Sequence, residues 1–256
     1  GMDGKQDIEK YGIEPFIKKC KESVWKYKSE WEKMSDRVGY WVDMEHPYIT
    51  YDDNYIESVW WSLKNIFDRG LIYKGHKIVP YCPRCGTALS SHEVAQGYKD
   101  VEEKSAAVSF KVADEADVYI VAWTTTPWTL PSNVALCVGP DFDYALVKSG
   151  DKKYIVAAER ASAFFEEGEY EILSVKKGSE YVGLRYEPLY ENYKGVKKSH
   201  YVVADGYVTL DEGTGIVHIA PAFGEDDARV GRDNDLPFVQ MVDDRGRMTE
   251  AVSYTH

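Results

Sequence analysis

Apolar residues recur at helical spacing in the first part of the chain and at alternate positions over most of the rest. Ile13, Phe16, Ile17, Cys20, Val24, Tyr27 and Trp31 mark one face of a helix, with Pro15 tolerated in its first turn. A second stripe, Ile56, Val59, Trp60, Leu63, Ile66 and Phe67, follows a cap at Asp53 or Asn54 and stops at Gly70. Both stripes call for an apolar partner. From Ile72 onward, short β-branched and aromatic runs predict strands at 107–112, 118–124, 144–148, 153–157, 170–175, 201–204, 215–219 and 238–242. Ser149-Gly150-Asp151 and Asp244-Arg245-Gly246 read as hairpin loops, and short helices fit 158–167 and 226–232. The pattern predicts an α+β fold: a distorted β-barrel with peripheral helices over residues 76–256, preceded by a helical segment over 1–75.

Two strand ends carry unusual chemistry. Val121-Ala-Trp-Thr-Thr-Thr-Pro-Trp-Thr-Leu-Pro-Ser-Asn133 places three hydroxyls, Thr124, Thr125 and Thr126, where an apolar strand runs into a proline corner. Pro127 and Pro131 cannot donate to a ladder, so the threonine N–H groups and hydroxyls are released from strand pairing. The second stretch, Asp211 to Val230, sends an apolar strand bearing His218 into another proline corner at Pro221, followed by Gly224, Glu225, Asp226 and Asp227. Three acids at a helix start suit capping, but one capping carboxylate explains one of them. A histidine in an apolar run is ordinarily a core residue. Gly213 and Gly215 begin a glycine pattern, yet His218 stands where G-x-G-x-x-G needs its third glycine, which excludes a dinucleotide loop.

Composition narrows the classes. With 256 residues and 44% hydrophobic content, the chain can bury one large core or two small ones. No apolar run approaches membrane length, and four cysteines with one C-x-x-C pair do not make a secreted disulfide framework, so the cytoplasm is the default. A net charge of −12 argues against autonomous, non-specific RNA binding, which needs clustered lysine and arginine. Lys176-Lys177, and Lys194 with Lys197-Lys198, are local basic groups that read as solvated faces.

Together the two strand-end stretches resemble the editing (CP1 insertion) domain of isoleucyl-tRNA synthetases. The likeness continues through Val79 to Tyr98 and, upstream, through Gly39-Tyr-Trp-Val-Asp-Met. The valyl and leucyl families typically continue Thr-Thr-Arg-Pro where this chain reads Thr-Thr-Thr-Pro-Trp. Neither a His-x-Gly-His type nor a Lys-Met-Ser-Lys-Ser type ATP signature is found. Lys33-Met-Ser-Asp is the nearest match, in the wrong part of the family order, and Gly1-Met2 reads as a cloning remnant before a mid-protein start. The resemblance therefore implies an excised insertion domain, with residues 1–75 a connective segment that adjoins a nucleotide-binding catalytic domain outside this chain. It also implies hydrolysis of valine from mischarged isoleucine tRNA, in a parent enzyme that uses ATP and magnesium to ligate isoleucine and supplies most of the tRNA affinity. One methylene separates the two amino acids and is worth about 0.8 kcal/mol on burial. That family is the standard case of a second, hydrolytic sieve answering this limit, and the logic comes from the resemblance alone.

The resemblance assigns roles residue by residue. Asp227 grips the α-ammonium group, with Asp226 the alternative, and Trp128 and Asn133 lie near the terminal adenosine. His218 lines the amino-acid pocket, excluding a larger side chain by its bulk, though a ring nitrogen suits a ribose hydroxyl or water as well. The hydroxyls and N–H groups of Thr124, Thr125 and Thr126 suit the ester carbonyl and the attacking water. No general base is legible, and editing needs no cofactor. Cys82 and Cys85 have zinc-knuckle spacing but form half a site, the family's second cysteine pair lying beyond this sequence, so the resemblance implies zinc for the full-length parent and not for this fragment. Cys20 and Cys137 read as core. Two rival readings are a stand-alone hydrolase on the same fold and a non-catalytic zinc-knuckle or tRNA-interaction module.

Overall fold

A computed structural model describes residues 2, 4–190 and 198–249. Gly1, Lys194 and Lys197 lie outside the described residues. The chain divides into two compact units, Gly1–Lys77 and Ile78–His256.

The first unit is helical. Gly12, at φ 101°, separates α1 (Lys5–Tyr11) from α2 (Ile13–Arg37), and only glycine adopts that conformation without strain. Pro15 then falls in the first turn of α2, where no intrahelical donor is missed. α3 (Asp53–Asp68) is preceded by Asp52 in extended conformation, one residue before the expected cap, and makes no side-chain cap bond. It stops where Gly70, at φ 71°, donates to Phe67 and Leu71 donates to Ile66. The Trp25 indole donates to the Tyr51 hydroxyl, fastening the segment after α2 back onto it. Neither α2 nor α3 buries a residue, and Trp31 and Trp60 are 67% and 65% exposed. The stripes legible in the sequence are real and stay uncovered.

The second unit opens with a two-stranded ribbon, β1 (Tyr81–Cys82) and β2 (Thr87–Ala88), and a short α4 (Ser91–Ala95). A capping box starts α4: Ser90 Oγ accepts from the Glu93 N–H and the Glu93 carboxylate accepts from the Ser90 N–H. β3 (Ala106–Lys111) pairs antiparallel with β4 (Val118–Thr124) along one edge. The other edge of β4 is divided. Residues 118–120 pair in parallel with β7 (Lys152–Ala157), whereas Trp123 pairs in parallel with Val217 of β10 (Ile216–Ile219). β7 continues through β6 (Asp143–Ser149) to β8 (Glu171–Lys177), and β10 continues through β5 (Ala135–Val138) to β9 (Tyr201–Ala204).

A strap over residues 183–187 closes a ring. It exchanges bonds with β9 through Gly183, Leu184 and Tyr186, and with the end of β3 through Ala113 to Arg185 and Glu187 to Lys111. The order β4, β10, β5, β9, strap, β3 returns to β4, which gives a small distorted barrel with β7, β6 and β8 as a wing. Phe110, Val112, Ile120, Leu136, Tyr186, Val202 and Ile216 fill its core. Val134, Cys137, Val203, Ile219 and Val230 form a second cluster, with Val230 supplied by α6 (Glu225–Asp233).

The predicted strand at 238–242 does not form: Val242 makes one bridge, to Met248. Pro237 removes a donor at its start, and the expected turn at Asp244-Arg245-Gly246 closes only a short hairpin, in which the Asp243 N–H donates to the Arg247 carbonyl at 2.8 Å and the Thr249 N–H to the Met241 carbonyl at 3.0 Å, while the Asp243 carboxylate accepts the Arg245 and Arg247 N–H groups. The helix expected at 158–167 is a 3₁₀ turn, Ala158–Arg160, followed by a four-residue α5, Ala161–Phe164. β5 escaped the pattern because all four of its residues are buried, so it shows no alternation. Cys20, expected in the core, is exposed on α2, whereas Cys137 is fully buried in β5.

Gly215 tests the packing of the barrel. It sits at φ 72°, and a Cβ there would meet Ala157 Cβ at 2.5 Å and Leu210 Cδ2 at 2.8 Å. Left-handed strain of about 1–2 kcal/mol and overpacking of about 1–3 kcal/mol add up. Gly215→Ala should therefore lose about 2–5 kcal/mol in urea unfolding. A loss below about 0.5 kcal/mol, within the range of an unremarkable surface change, would contradict this packing.

Candidate functional site

Because β4 and β10 run parallel and pair near their ends, the segments that leave them emerge side by side. Each then turns at a proline. Thr124 is 7% exposed, and its Oγ1 accepts the Thr126 N–H at 3.1 Å and lies 3.4 Å from Thr126 Oγ1. Thr125 is exposed. The three hydroxyls thus do not form one row, since strand alternation turns the middle one away. After Pro127 the chain makes a 3₁₀ helix, Pro127–Ser132, whose last four residues are buried.

Two contacts join this loop to the one after β10. Thr129 Oγ1 lies 2.8 Å from the Thr126 carbonyl oxygen and 2.9 Å from His218 Nε2. Trp128, half exposed, meets Phe223 edge to face at 5.2 Å between ring centroids. His218 is 5% exposed, and burial lowers its pKa to about 4, so the ring is neutral at neutral pH. Its Nδ1 is buried without a hydrogen-bond partner among the described residues.

The three acids divide. Glu225 and Asp226 are exposed, Asp226 lying 3.4 Å from Arg229, which forks onto Asp205 at 2.7 and 2.9 Å. Asp227 turns inward. Its Oδ2 accepts the Ala220 N–H at 3.0 Å, and its carboxyl group lies against Gly224, where a Cβ would stand 2.9 Å from Cγ. Burial pushes the Asp227 pKa up to about 6, against the pull of the Ala220 N–H and with a smaller push from Asp226. No side chain caps α6, so the capping expectation fails for all three acids. Asp227 instead ties the helix to the end of β10.

Asn133 is not at the surface. It is 3% exposed, its Nδ2 donates to the Ala135 carbonyl at 2.8 Å, and its Oδ1 accepts from Tyr186 at 2.7 Å. Its amide bonds inward to the barrel wall, beside the strap, so the structure shows it as a buried brace of the loop. Thr129 and Phe223 were not singled out in the sequence, although each lies within a motif that was. Tyr207 was also missed; its hydroxyl is buried and without a hydrogen-bond partner among the described residues, and burial and the Asp227 charge raise its pKa well above the ordinary value.

Cys82 and Cys85 lie on the β1–β2 ribbon. The Cys85 N–H donates to Cys82 Sγ at 3.4 Å, drawing the Cys82 thiol down, while the thiol pairing pushes Cys85 up. Two thiolates do not complete a tetrahedral zinc set. No cluster of three or more ligating side chains occurs among the described residues, His76 and His92 included. Among the described residues, the side chains around Cys82 and Cys85 do not complete a zinc site. Among the described residues no helix is long and apolar enough to cross a membrane.

Residues 1–240 match the family model for tRNA synthetases of class I (I, L, M and V). The isoleucine–tRNA ligase of Clostridium acetobutylicum is 57% identical over 252 residues, covering 98% of this chain and 24% of the relative. That of Bacillus thuringiensis is 53% identical over 254 residues, covering 99% and 24%. The chain therefore spans 24% of the length of these curated relatives. Among solved structures, GlLeuRS-CP1 aligns with a TM-score of 0.43 at 21% identity, over 51% of this chain and 59% of that one. The P. knowlesi cytosolic leucyl-tRNA synthetase editing domain gives 0.40 at 19%, over 51% and 64%.

The raised Asp227 pKa has a measurable sign. Between 3.8 and about 6 the native state keeps a proton that the unfolded chain releases, so this group's contribution to stability falls as pH rises through that window. Asp227→Asn keeps an acceptor for Ala220 without the charge. The variant should gain stability over the parent from about pH 4 to about pH 6, and the difference should level off above that. Urea midpoints across the range check it, and a difference independent of pH would mean an ordinary carboxyl.

Proposed function

The chain belongs to the class I tRNA synthetase family, and on that premise we propose that its second unit hydrolyses the ester of valine mischarged onto isoleucine tRNA. The observation that carries this reading is the meeting of the two motifs: Thr124 ends β4 and Thr126 follows it, while His218 lies in β10 and Asp227 in the first turn of α6, bonded back to Ala220 at the end of β10. An aminoacyl ester offers an ammonium group, a carbonyl that becomes an oxyanion, and an adenosine. Each has a counterpart of matching chemistry here.

Asp227, when ionised, pairs with the ammonium group through charge-assisted bonds. Thr125, exposed at the turn, and Thr126, half buried, offer hydroxyls to the carbonyl and the water. Water attacks the carbonyl carbon, the bond to the ribose oxygen breaks, and the amino acid leaves as a carboxylic acid while the ribose recovers its hydroxyl. His218 is neutral and walled in, which favours its role as a steric limit on the amino-acid side chain over that of a charged acid. The half-exposed Trp128, braced by Phe223, offers a stacking face to the terminal base. In this reading the longer protein works in the cytoplasm, ligates isoleucine with ATP and magnesium, and supplies the remaining contacts to tRNA. Zinc plays no part in the hydrolysis.

Incubation with valine-charged and isoleucine-charged tRNA tests the proposal: valine should be released and isoleucine retained. Asp227→Asn should lose about 1.5–3 kcal/mol of transition-state binding, the worth of a charged hydrogen bond, or about ten- to more than hundredfold in rate. The parent rate should fall below about pH 6 as Asp227 takes up a proton, and the variant should lack that limb. His218→Ala should extend hydrolysis to isoleucine-charged tRNA. If it only slows valine release, the histidine is catalytic and the steric assignment is wrong.

Purified chain should carry less than one equivalent of zinc, because two thiolates hold the ion weakly. Elemental analysis showing a full equivalent per monomer would require ligands beyond Cys82 and Cys85.

A further inference from the structure

Thr129 touches both loops, and its hydroxyl has only one proton to give. The residue is 5% exposed, so water does not compete for that proton. The Thr126 carbonyl oxygen, 2.8 Å away, can only accept, and is one partner for that proton. The Thr126 carbonyl also accepts the Thr129 N–H at 3.0 Å, so the direction at His218 Nε2, 2.9 Å from the same hydroxyl oxygen, is decided at the other ring nitrogen: a hydroxyl donating to Nε2 would leave a buried Nδ1–H with no acceptor, the costlier orphan, and Nε2 is therefore the donor. The neutral ring is thereby the Nε2–H tautomer, and its Nδ1 is a bare lone pair, buried and without a partner among the described residues. A buried acceptor left unpaired is unfavourable, and a bound proton donor relieves it.

We propose that Thr129 is a positioning residue for the hydrolysis: its hydroxyl fixes the tautomer and plane of His218, so that Nδ1 is the ring atom left to accept a proton donor of the bound aminoacyl-adenosine. The same bond fastens the ring to the Thr126 end of the loop, so the wall of the amino-acid pocket and the hydroxyls at the carbonyl move as one body. The β-branch of Thr129 limits its χ1 and keeps the oxygen between its two partners. The donors such a ligand carries are an ammonium group and a ribose hydroxyl. The kinetic part of this assignment rests on the proposed deacylase reading; the tautomer does not.

The test uses the 256-residue chain with ¹⁵N-labelled histidine. In the parent, His218 should give the ¹⁵N shifts of an Nε2–H ring. Thr129→Val, equal in shape but without the hydroxyl, should release that tautomer and lower kcat/KM for valine-charged tRNA about tenfold, a single hydrogen bond's worth. It should also raise the small rate on isoleucine-charged tRNA, because the ring no longer holds its plane. Thr129→Ser keeps the hydroxyl and should restore both the spectrum and the rate to within about twofold. A terminal adenosine lacking its free ribose hydroxyl distinguishes the donors. If the hydroxyl is the donor, this substrate loses rate in the parent but no further rate in Thr129→Val; if it is the ammonium group, the two losses add.

An Nδ1–H ring in the parent would overturn the assignment, whatever the activity. So would a folded Thr129→Val that keeps the parent rate and selectivity. If the parent releases no valine, the deacylase reading fails, and the parent and Thr129→Ser spectra still decide whether Thr129 sets the tautomer.

Discussion

β4 gives the first part of one edge to β7 and the last part to β10, and a single parallel pair, Trp123 with Val217, joins the two motifs of this chain. A strand cannot keep both neighbours in one flat sheet at the same place, so the sheet splits: β7 leads into the wing and β10 into the barrel. Parallel pairing also fixes direction, so both strands deliver their ends to the same rim. Residues about ninety apart in sequence, Thr129 and His218, then meet within hydrogen-bond distance. An antiparallel β10 would have carried His218 and Asp227 to the opposite end. The ring closure through residues 183–187 supports this arrangement from the far side, where Tyr186 holds Asn133 at the foot of the loop.

The site is built from groups whose neutral forms are favoured by burial. His218 is held near 4 and Asp227 near 6, and their effects on stability have opposite signs. Acidification below the ordinary histidine value, 6.5, disfavours the native state through His218, whereas between about pH 6 and 3.8 it favours the native state through Asp227, which holds a proton that the unfolded chain still releases. Burying an unpaired carboxylate is unfavourable, and a cationic ligand supplies the missing partner. In the proposed reaction, the desolvation that raises the Asp227 pKa is also what would favour a ligand carrying an ammonium group. Away from the site the acids are paired or exposed, as with Asp205 on Arg229 and Asp226 beside it.

Much of this was legible in the sequence, for identifiable reasons. β4 and β9 alternate or carry β-branched residues, and their observed limits coincide with those read from the pattern. The two proline corners marked where ladders end. What could not be read depends on tertiary contact. β5 is buried on both faces and shows no period, the strap at 183–187 is not a strand until β3 and β9 flank it, and 238–242 has the composition of a strand without an edge to join. At the site, residue types were visible but directions were not. Thr125 is exposed while Thr124 is enclosed, and Asn133 is absorbed by Tyr186 and Ala135. The separation of Asp227 from Asp226 follows from which side of a short helix faces β10, which the sequence alone does not give.

The central claim is that one aminoacyl-adenosine spans both loops. It is tested most directly by titrating the ¹⁵N-labelled chain with a non-hydrolysable amide of valine and adenosine and following the backbone and side-chain signals. The account predicts saturable shifts at Thr125, Thr126, Trp128, His218 and Asp227 together, with one apparent affinity, and an isoleucine analogue that binds more weakly. Shifts confined to one loop, or to the exposed faces of α2 and α3, would contradict it.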